Sequence, residues 1–330
     1  MILVTGATGF IGTNLMCALA EKDVYPVATY RHESNKDKIA ALFISKFSDG
    51  KERFDKIIWR KVDLRNFPSL NEAFEGITHV YHCAAFISMA FRDSQKLLEI
   101  NQKGTAYIVD LCLKNNIEKL LYVSSIASLG TDPNLNTIDE NTPWDNNVDK
   151  TPYAYSKYGA EMEVWRANQE GLDVAIVNPG IVLGPNSPIE KTFNRVKNGL
   201  RFYTPGRSGY VWIDDVVFVM IKLMESKIKA ERFALVAENW SGKSVIQAVL
   251  KAYNKNDKII KASKGLLYCL WVFEHFIQLL GLRKRFFTKA LISTLFDKRT
   301  VNGEKIKSYI DFEYTSIAKS LENTLNPKSI

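Results

Sequence analysis

MILVTGATGFIG, Met1 to Gly12, opens the chain with a short apolar run, Ile2 to Val4, that feeds into three glycines, Gly6, Gly9 and Gly12. Such a run ending in closely spaced glycines predicts a strand, a tight turn and the start of a helix. Phe10, Ile11, Leu15 and Leu19 then recur at helical spacing, and Val24–Thr29 reads as a second strand. In that context each glycine has a task. Gly6 permits the turn, Gly9 lets the backbone approach a pyrophosphate held at the helix N-terminus, and Gly12 allows helix and strand to pack closely. The stretch predicts a dinucleotide-binding βαβ unit, with a simple glycine-rich turn as the plainer alternative.

Further strand-like runs follow at Lys56–Lys61, His79–His82, Lys119–Ser124 and Asp173–Asn178, alternating with helical stretches. That rhythm predicts an α/β fold built on a doubly wound parallel sheet. No internal repeat or low-complexity tract interrupts it. The polar, Pro/Asn-rich segment Thr131–Pro152 reads as a long loop, expected to form a wall or lid of the active site. After Pro179 the segments 189–209 and 241 onward become richer in turn residues and amphipathic helices. Residues 1–180, completed by about 211–237, are therefore expected to form a Rossmann-type nucleotide domain. Residues 181–210 and 238–330 would form a smaller C-terminal substrate-binding lobe, with substrate between the two, over the strand ends.

Cofactor choice should be written at the end of the second strand, where an acid would bond the ribose hydroxyls and a cation would pair with a 2′-phosphate. The chain reads Ala28-Thr-Tyr-Arg-His32 there, with no carboxylate at Tyr30 or Arg31, and Lys36 and Lys38 close behind. This charge suits NADP better than NAD.

Tyr153 and Lys157, in Thr151-Pro-Tyr-Ala-Tyr-Ser-Lys157, lie four residues apart and so share one helical face. A free phenol has a pKa of about 10, and proton transfer near neutrality needs positive charge beside the phenolate. A lysine one turn away supplies it. The spacing alone also fits a solvated surface pair.

Taken together, the glycine turn and the Tyr-Lys pair make the chain resemble the extended short-chain dehydrogenase/reductase family, the NAD-dependent epimerase/dehydratase superfamily. Further matches run nearly the whole length. Thr5 to Gly12 matches the family's Thr-Gly-x-x-Gly-x-x-Gly, and Asp63, in Lys-Val-Asp-Leu64, matches an aspartate that meets the adenine. His82, Cys83, Ala84 and Ala85 match the segment ending the fourth strand, and Asn101, Gly104 and Thr105 match Asn-x-x-Gly-Thr. Ser125, five before Gly130, stands where the catalytic serine closes the fifth strand. Pro179 to Pro185 matches Pro-Gly-x-x-x-Gly-Pro, and Trp212 to Val216 the later Asp-Asp-Val segment.

The resemblance implies that Tyr153 exchanges a proton with the substrate oxygen as hydride moves to or from a nicotinamide. Lys157 would lower the tyrosine pKa and hold the nicotinamide ribose. Ser125 would bond the reacting oxygen as charge develops, and Asn101 would support a water relay. Ser125 as a satisfied strand end and Asn101 as a helix cap are the plainer roles. The cofactor, NADP or else NAD, would be held by Gly6, Thr8, Gly9, Phe10, Ile11, Gly12, Arg31, Asp63, Leu64, Ala84, Ala85, Tyr153, Lys157 and Pro179, with no metal. Family members often pair as homodimers through the helix carrying the tyrosine and its predecessor.

Departures from related subfamilies narrow the reaction. Dehydratases of the family carry Thr-Asp-Glu where this chain has Ser125, Ile126 and Ala127, so the groups for water elimination are missing. Nucleotide-sugar epimerases usually present an arginine just before the Tyr-Val/Ile-His segment, whereas Ser208 and Gly209 precede Tyr210 here, with Arg207 and Arg201 nearby. The pattern resembles most the dihydroflavonol reductase and 3β-hydroxysteroid dehydrogenase-like branch, in which a ketone and a secondary alcohol interconvert. An NAD-dependent nucleotide-sugar epimerase stays open as the alternative, as does a catalytically silent scaffold or redox-sensing member.

A length of 330 residues is enough for about two domains, and 44 basic against 36 acidic residues give a formal net charge of +8. Basic residues are scattered until Arg283–Arg285, with no aromatic-interleaved basic motif that would suggest nucleic acid. Cys17, Cys83, Cys112 and Cys269 lack metal-ligand spacing and are expected to be reduced core residues. With the nucleotide-binding strand at the very start, no signal peptide is expected, and a cytoplasmic location follows. Gly265–Leu282 is dense in Leu, Trp and Phe but holds Glu274 and His275 at its middle, which argues against a transmembrane span. It reads as a helix lining the pocket or packing on a partner, or else as an interfacial membrane helix. If it builds the pocket, the small-molecule substrate has substantial apolar surface.

Overall fold

The structure, a computed structural model, describes residues 1–132, 134–279 and 288–325. The basic cluster at 283–285 and the end of the apolar segment 265–282 lie outside the described residues.

Seven strands form one parallel sheet: β1 (Ile2–Thr5), β2 (Val27–Tyr30), β3 (Ile58–Lys61), β4 (His79–His82), β5 (Lys119–Val123), β6 (Asp173–Pro179) and β7 (Glu231–Leu235). Their order across the sheet is β7-β6-β5-β4-β1-β2-β3. The central strands are apolar at nearly every position because both faces are covered. One face sends Val4, Ala28, Tyr81, Leu121 and Val177 into a core with helices α1 (Phe10–Glu21) and, later in the chain, Ile213–Glu225. The alternate residues Leu3, Val27, Val80, Leu120 and Ile176 meet α2 (Gly104–Lys114) and α3 (Pro152–Gln169) on the other. Strand order reverses between β1 and β4, and a crevice opens there at the carboxyl ends of the strands.

The second strand begins at Val27, three residues later than its apolar run suggests. Helix α1 is closed by Asp23 in the left-handed region, φ 57°, with the Val24 amide donating back to the Leu19 carbonyl at 2.9 Å. This closing turn consumes Val24 and its neighbours before the strand can start.

Past β6, Ile181–Leu183, Arg207–Trp212 and Glu238–Ser241 form a small mixed sheet, against which Gly242–Ala252 and Ile317–Leu325 pack. Helix α4 (Ile213–Glu225) returns to the large sheet beside α1. The segments past β6 expected to form a smaller lobe have no separate core. Phe193, Val249, Ile317 and Leu321 belong to the same buried cluster as α1 and α4. Two carboxylates tie the C-terminal segment down: Asp215 accepts from the Thr315 amide and hydroxyl at 2.8 and 2.9 Å, and Glu238 accepts from the Ile317 amide at 2.8 Å.

Gly6 has φ +67°, and a Cβ there would lie 2.6 Å from the backbone of Ala84. Gly6→Ala should therefore cost roughly 1–3 kcal/mol in overpacking, plus about 1–2 kcal/mol for the left-handed backbone. Thermal melting checks this; a variant that melts with the wild type would mean that β1 and β4 can separate freely.

Candidate active site

The crevice beside the glycine turn is a cavity of about 280 Å³. Of the residues expected to hold the cofactor, Gly6, Thr8, Gly9, Arg31, Asp63, Leu64, Ala84 and Ala85 form its wall, together with Thr29, Tyr30, Asn35, Val62, Cys83, Phe86 and Ile100. Phe10, Ile11 and Gly12 start α1 behind Gly9, and Pro179 is buried at the end of β6. A Cβ at Gly12 would strike the Gly6 carbonyl, so the glycine is what lets the helix sit on the turn. No side chain caps the N-terminus of α1 and no acid occupies its first turn. First-turn amides without a side-chain cap, at the positive end of a helix, fit a pyrophosphate. The residues present thus fit a dinucleotide.

At the far end of the crevice, Asp63 accepts two bonds from the Arg65 guanidinium, at 3.0 and 2.6 Å. Arg65, with Arg31 farther away, holds the Asp63 carboxyl down to about 2. Arg31 donates to His32 at 3.1 Å and makes no ion pair among the described residues. Lys36 does: it pairs with Glu33 at 2.9 Å, and Glu33 also accepts from the Tyr30 hydroxyl at 2.6 Å. The positive charge read from the sequence after β2 is partly neutralised by this one acid.

Helix α3 carries Tyr153 and Lys157. Thr151 caps it, accepting from the Ala154 amide at 3.2 Å, and Pro152 occupies the first turn, where its missing N–H costs nothing. Both side chains are buried. Ser125 follows β5, and its hydroxyl interacts with the Tyr153 phenol and accepts from the Ala127 amide at 3.2 Å. The strand end and the helix start therefore bring together two residues 28 positions apart in sequence.

Lys157 is not bonded to Tyr153. Its Nζ donates to the Tyr122 hydroxyl at 2.7 Å and to the Val123 carbonyl at 2.8 Å, and lies 4.4 Å from the centre of the Tyr122 ring. Burial pushes the Lys157 ammonium down to about 7, against the pull of the Glu161 and Cys83 charges. Burial also raises the Tyr153 phenol above its usual range, with the Ser125 hydroxyl acting in the opposite direction. Both groups are thus held in a site where charge is costly, which makes each sensitive to charge placed beside it.

Asn101 lies in a π-helical turn, Leu98–Lys103, just ahead of α2. Its side chain accepts from the Phe86 amide at 2.7 Å and donates to the Phe86 carbonyl and the Ser156 hydroxyl, both at 2.9 Å. It clamps the crevice loop to α3, so its observed bonds go to structure and not to the Tyr153 hydroxyl. His82 likewise bridges Thr5 and Thr105, at 2.6 and 3.0 Å, and burial, helped by Lys157, lowers its pKa to about 3.

Sequence reasoning missed Tyr122, the hydroxyl that holds Lys157. It also missed Glu161, fully buried one turn beyond Lys157 and accepting from Asn178 at 2.9 Å. The i, i+4 step from Lys157 to Glu161 was a readable signal; the contact with Tyr122 crosses from strand to helix and was not.

A larger cavity, about 470 Å³, adjoins the same helix turn. Pro152, Tyr155, Phe91, Leu98, Trp271 and Ala290 give it apolar walls, and Asp149, Lys150 and Lys289 place charge there. The end of the polar loop thus forms one wall. Cys17 and Cys112 are buried, but Cys83 lines the crevice and Cys269 is exposed, so the core expectation fails for Cys269. Its apolar helix is packed on one side only.

The Lys157 burial has a pH signature. An amine whose folded pKa lies below its unfolded value takes up more protons on unfolding, so its unfavourable contribution is fully present below about pH 7 and fades toward its ordinary value near 10.5. The melting temperature of the wild type relative to Lys157→Met should rise as pH increases from 7 to 10. A constant difference would show that the ammonium carries no such penalty.

Residues 2–235 match the model of the NAD dependent epimerase/dehydratase family. The sterol demethylase protein B of Methylococcus capsulatus is 29% identical over 252 residues, covering 74% of this chain and 72% of that one. The cinnamoyl-CoA reductase 1 of Petunia hybrida is 28% identical over 252 residues, 72% of this chain and 73% of its own. Among solved structures, the protein gox2253 superposes with a TM-score of 0.81 at 22% identity, over 98% of this chain and 96% of that one, a likeness of fold. The crevice, the glycine turn and these relatives lead to one conclusion: the chain belongs to the NAD dependent epimerase/dehydratase family and is an NAD(P)-dependent enzyme of the extended short-chain dehydrogenase/reductase type.

Proposed function

We propose that Tyr153 is the proton donor and acceptor in the interconversion of an apolar ketone and its secondary alcohol. The observation that carries this reading is the Ser125 hydroxyl set against the buried Tyr153 phenol at the strand ends, with Lys157 one turn along the same helix. Nicotinamide dinucleotide, when bound, supplies or accepts the hydride. Ser125 donates to the carbonyl oxygen as negative charge builds on it. Tyr153 delivers the proton to that oxygen in reduction and removes it in oxidation. Lys157, held by Tyr122 and Val123, keeps a cationic group near the phenol and the cofactor ribose. Asn101 serves by fixing the Phe86 loop and Ser156.

Two observations favour ketone reduction over nucleotide-sugar epimerisation. Arg201, one candidate to clamp a sugar diphosphate, spends its guanidinium on the carbonyls of Val196 and Leu200, at 2.7 and 3.2 Å. The walls of the larger cavity are mainly apolar and aromatic. The names of the relatives, a sterol demethylase protein and a cinnamoyl-CoA reductase, support a substrate with apolar surface. NADP is the preferred cofactor in this reading, because Arg31 stands at the crevice with no carboxylate ion-paired to it among the described residues. The reading includes a homodimer paired through α2 and α3, and a reducing, cytoplasmic location in keeping with four free cysteines. No described helix is long and apolar enough to cross a membrane.

Tyr153→Phe should lower kcat by roughly 10²–10⁴-fold on any accepted ketone while leaving dinucleotide binding nearly unchanged. Turnover equal to the wild type would remove Tyr153 from the chemistry. Arg31→Ala should raise the Kd for NADPH by about tenfold and leave that for NADH unaltered, since a charged contact of this kind is worth about 1.5–3 kcal/mol at most. An undiminished preference for NADPH in titrations would assign the selection to another residue.

A further inference from the structure

Helix α5 (Lys264–Leu279) wears its apolar side outward. Leu266, Leu270, Val272, Phe273 and Phe276 are 41–59% exposed, and Cys269 is exposed among them. At 3.6 residues per turn these six positions fill one continuous arc of about 160°. No charged residue falls in it. Glu274, the one acid or lysine/arginine between Gly265 and Ile277, is half-buried and falls about 40° beyond the Leu270 edge of the arc. A surface helix of a soluble protein has the reverse arrangement, with its charges in water and its apolar stripe on the core. The inner side is committed to the protein: α5 packs along Lys289–Phe296, the Lys289 ammonium lies 5.1 Å from the Trp271 ring, and Trp271 lines the larger cavity.

The segment that leads into the helix is basic, with Asp257 its single acid. Lys255, Lys258, Lys261 and Lys264 are all exposed in the ten residues leading into the helix. Phe202 and Ile260, paired across two short strands just upstream, are 51% and 58% exposed. The molecule as a whole carries a formal charge of +8. An apolar helix face entered from a lysine-rich segment, on a chain of net positive charge, matches a surface that is apolar within and anionic at its rim. A second copy of the same cationic face lacks that complement.

We propose that this face docks on an anionic lipid bilayer, with α5 lying in the plane of the headgroups and its outward arc inserted among the acyl chains. The helix does not span the bilayer. It brings the Trp271 wall of the 470 Å³ cavity to the membrane surface, where an apolar substrate is concentrated. Docking is independent of the reaction assigned above, and its test needs no turnover.

Full-length protein is mixed with sedimentable vesicles of phosphatidylcholine alone, or of phosphatidylcholine with phosphatidylglycerol, and the bound fraction is measured at low and at physiological salt. Partition into the anionic vesicles is expected to exceed that into neutral ones by roughly tenfold or more and to fall as salt rises. Phe273→Glu with Phe276→Glu should reduce it by at least about tenfold. An environment-sensitive fluorophore on Cys269 of the otherwise unaltered chain should shift to the blue when anionic vesicles are added. NADPH binding, measured on the variant in parallel, reports whether its fold is intact; Val272→Asp replaces it if that binding is lost. No partition and no fluorescence shift would overturn the proposal, as would full binding by the variant. A wild-type dimer that the same substitutions split, without vesicle binding, would overturn it in favour of self-association.

Discussion

The backbone of Gly6 runs against that of Ala84 with no space between them for a side chain. This contact joins the ends of β1 and β4, the two strands at which the order of the sheet reverses, and so fixes the floor of the nucleotide crevice. Gly12 then seats α1 directly on the carbonyl of Gly6. The helix N-terminus is thereby aimed at the crevice with first-turn amides that no side chain caps. Two glycines thus set sheet, helix and anion site in one relation, and everything placed later along the chain inherits it.

The second half of the site is a buried polar cluster inside an apolar fold. Lys157 and Glu161, one turn apart on α3, are both nearly inaccessible to water; Tyr122 and Val123 on the sheet hold the lysine, while Asn178 bonds one oxygen of the glutamate and the other has Arg232 3.8 Å away and no hydrogen-bond partner among the described residues. Burying such groups is costly, and only convergent partners make it tolerable. The same burial leaves the protonation of Lys157 and Tyr153 responsive to a charge brought alongside. Neighbouring polar residues hold the frame. His82 ties β1 to α2 through Thr5 and Thr105, and Asn101 ties the Phe86 loop to Ser156 of α3.

The chain past β6, α4 apart, is continuous with this frame. Its buried residues belong to the core of α1 and α4, and its C-terminal segment is pinned by Asp215 and Glu238. Helix α5 departs from the pattern, with Trp271 turned to the cavity and phenylalanines turned to solvent. The proposed apolar substrate and the proposed docking on an anionic bilayer both rest on that one helix.

Much of the framework could be read directly. The run from Ile2 to Gly12 names a strand, turn and helix because glycine spacing and helical periodicity are local properties, and the apolar runs at β4, β5 and β6 name a parallel sheet for the same reason. The i, i+4 step from Tyr153 to Lys157 put both on one helix face. What that face meets was not local. The contact of Ser125 with Tyr153 and the hold of Tyr122 on Lys157 arise where separate elements come together. The apolar content of 264–279 was equally plain in the sequence, yet its periodicity is the same whether the stripe faces a core or water. Residue order specifies which side chains share a face; the packing of neighbouring elements specifies what that face touches, because burial and pairing are properties of the assembled chain.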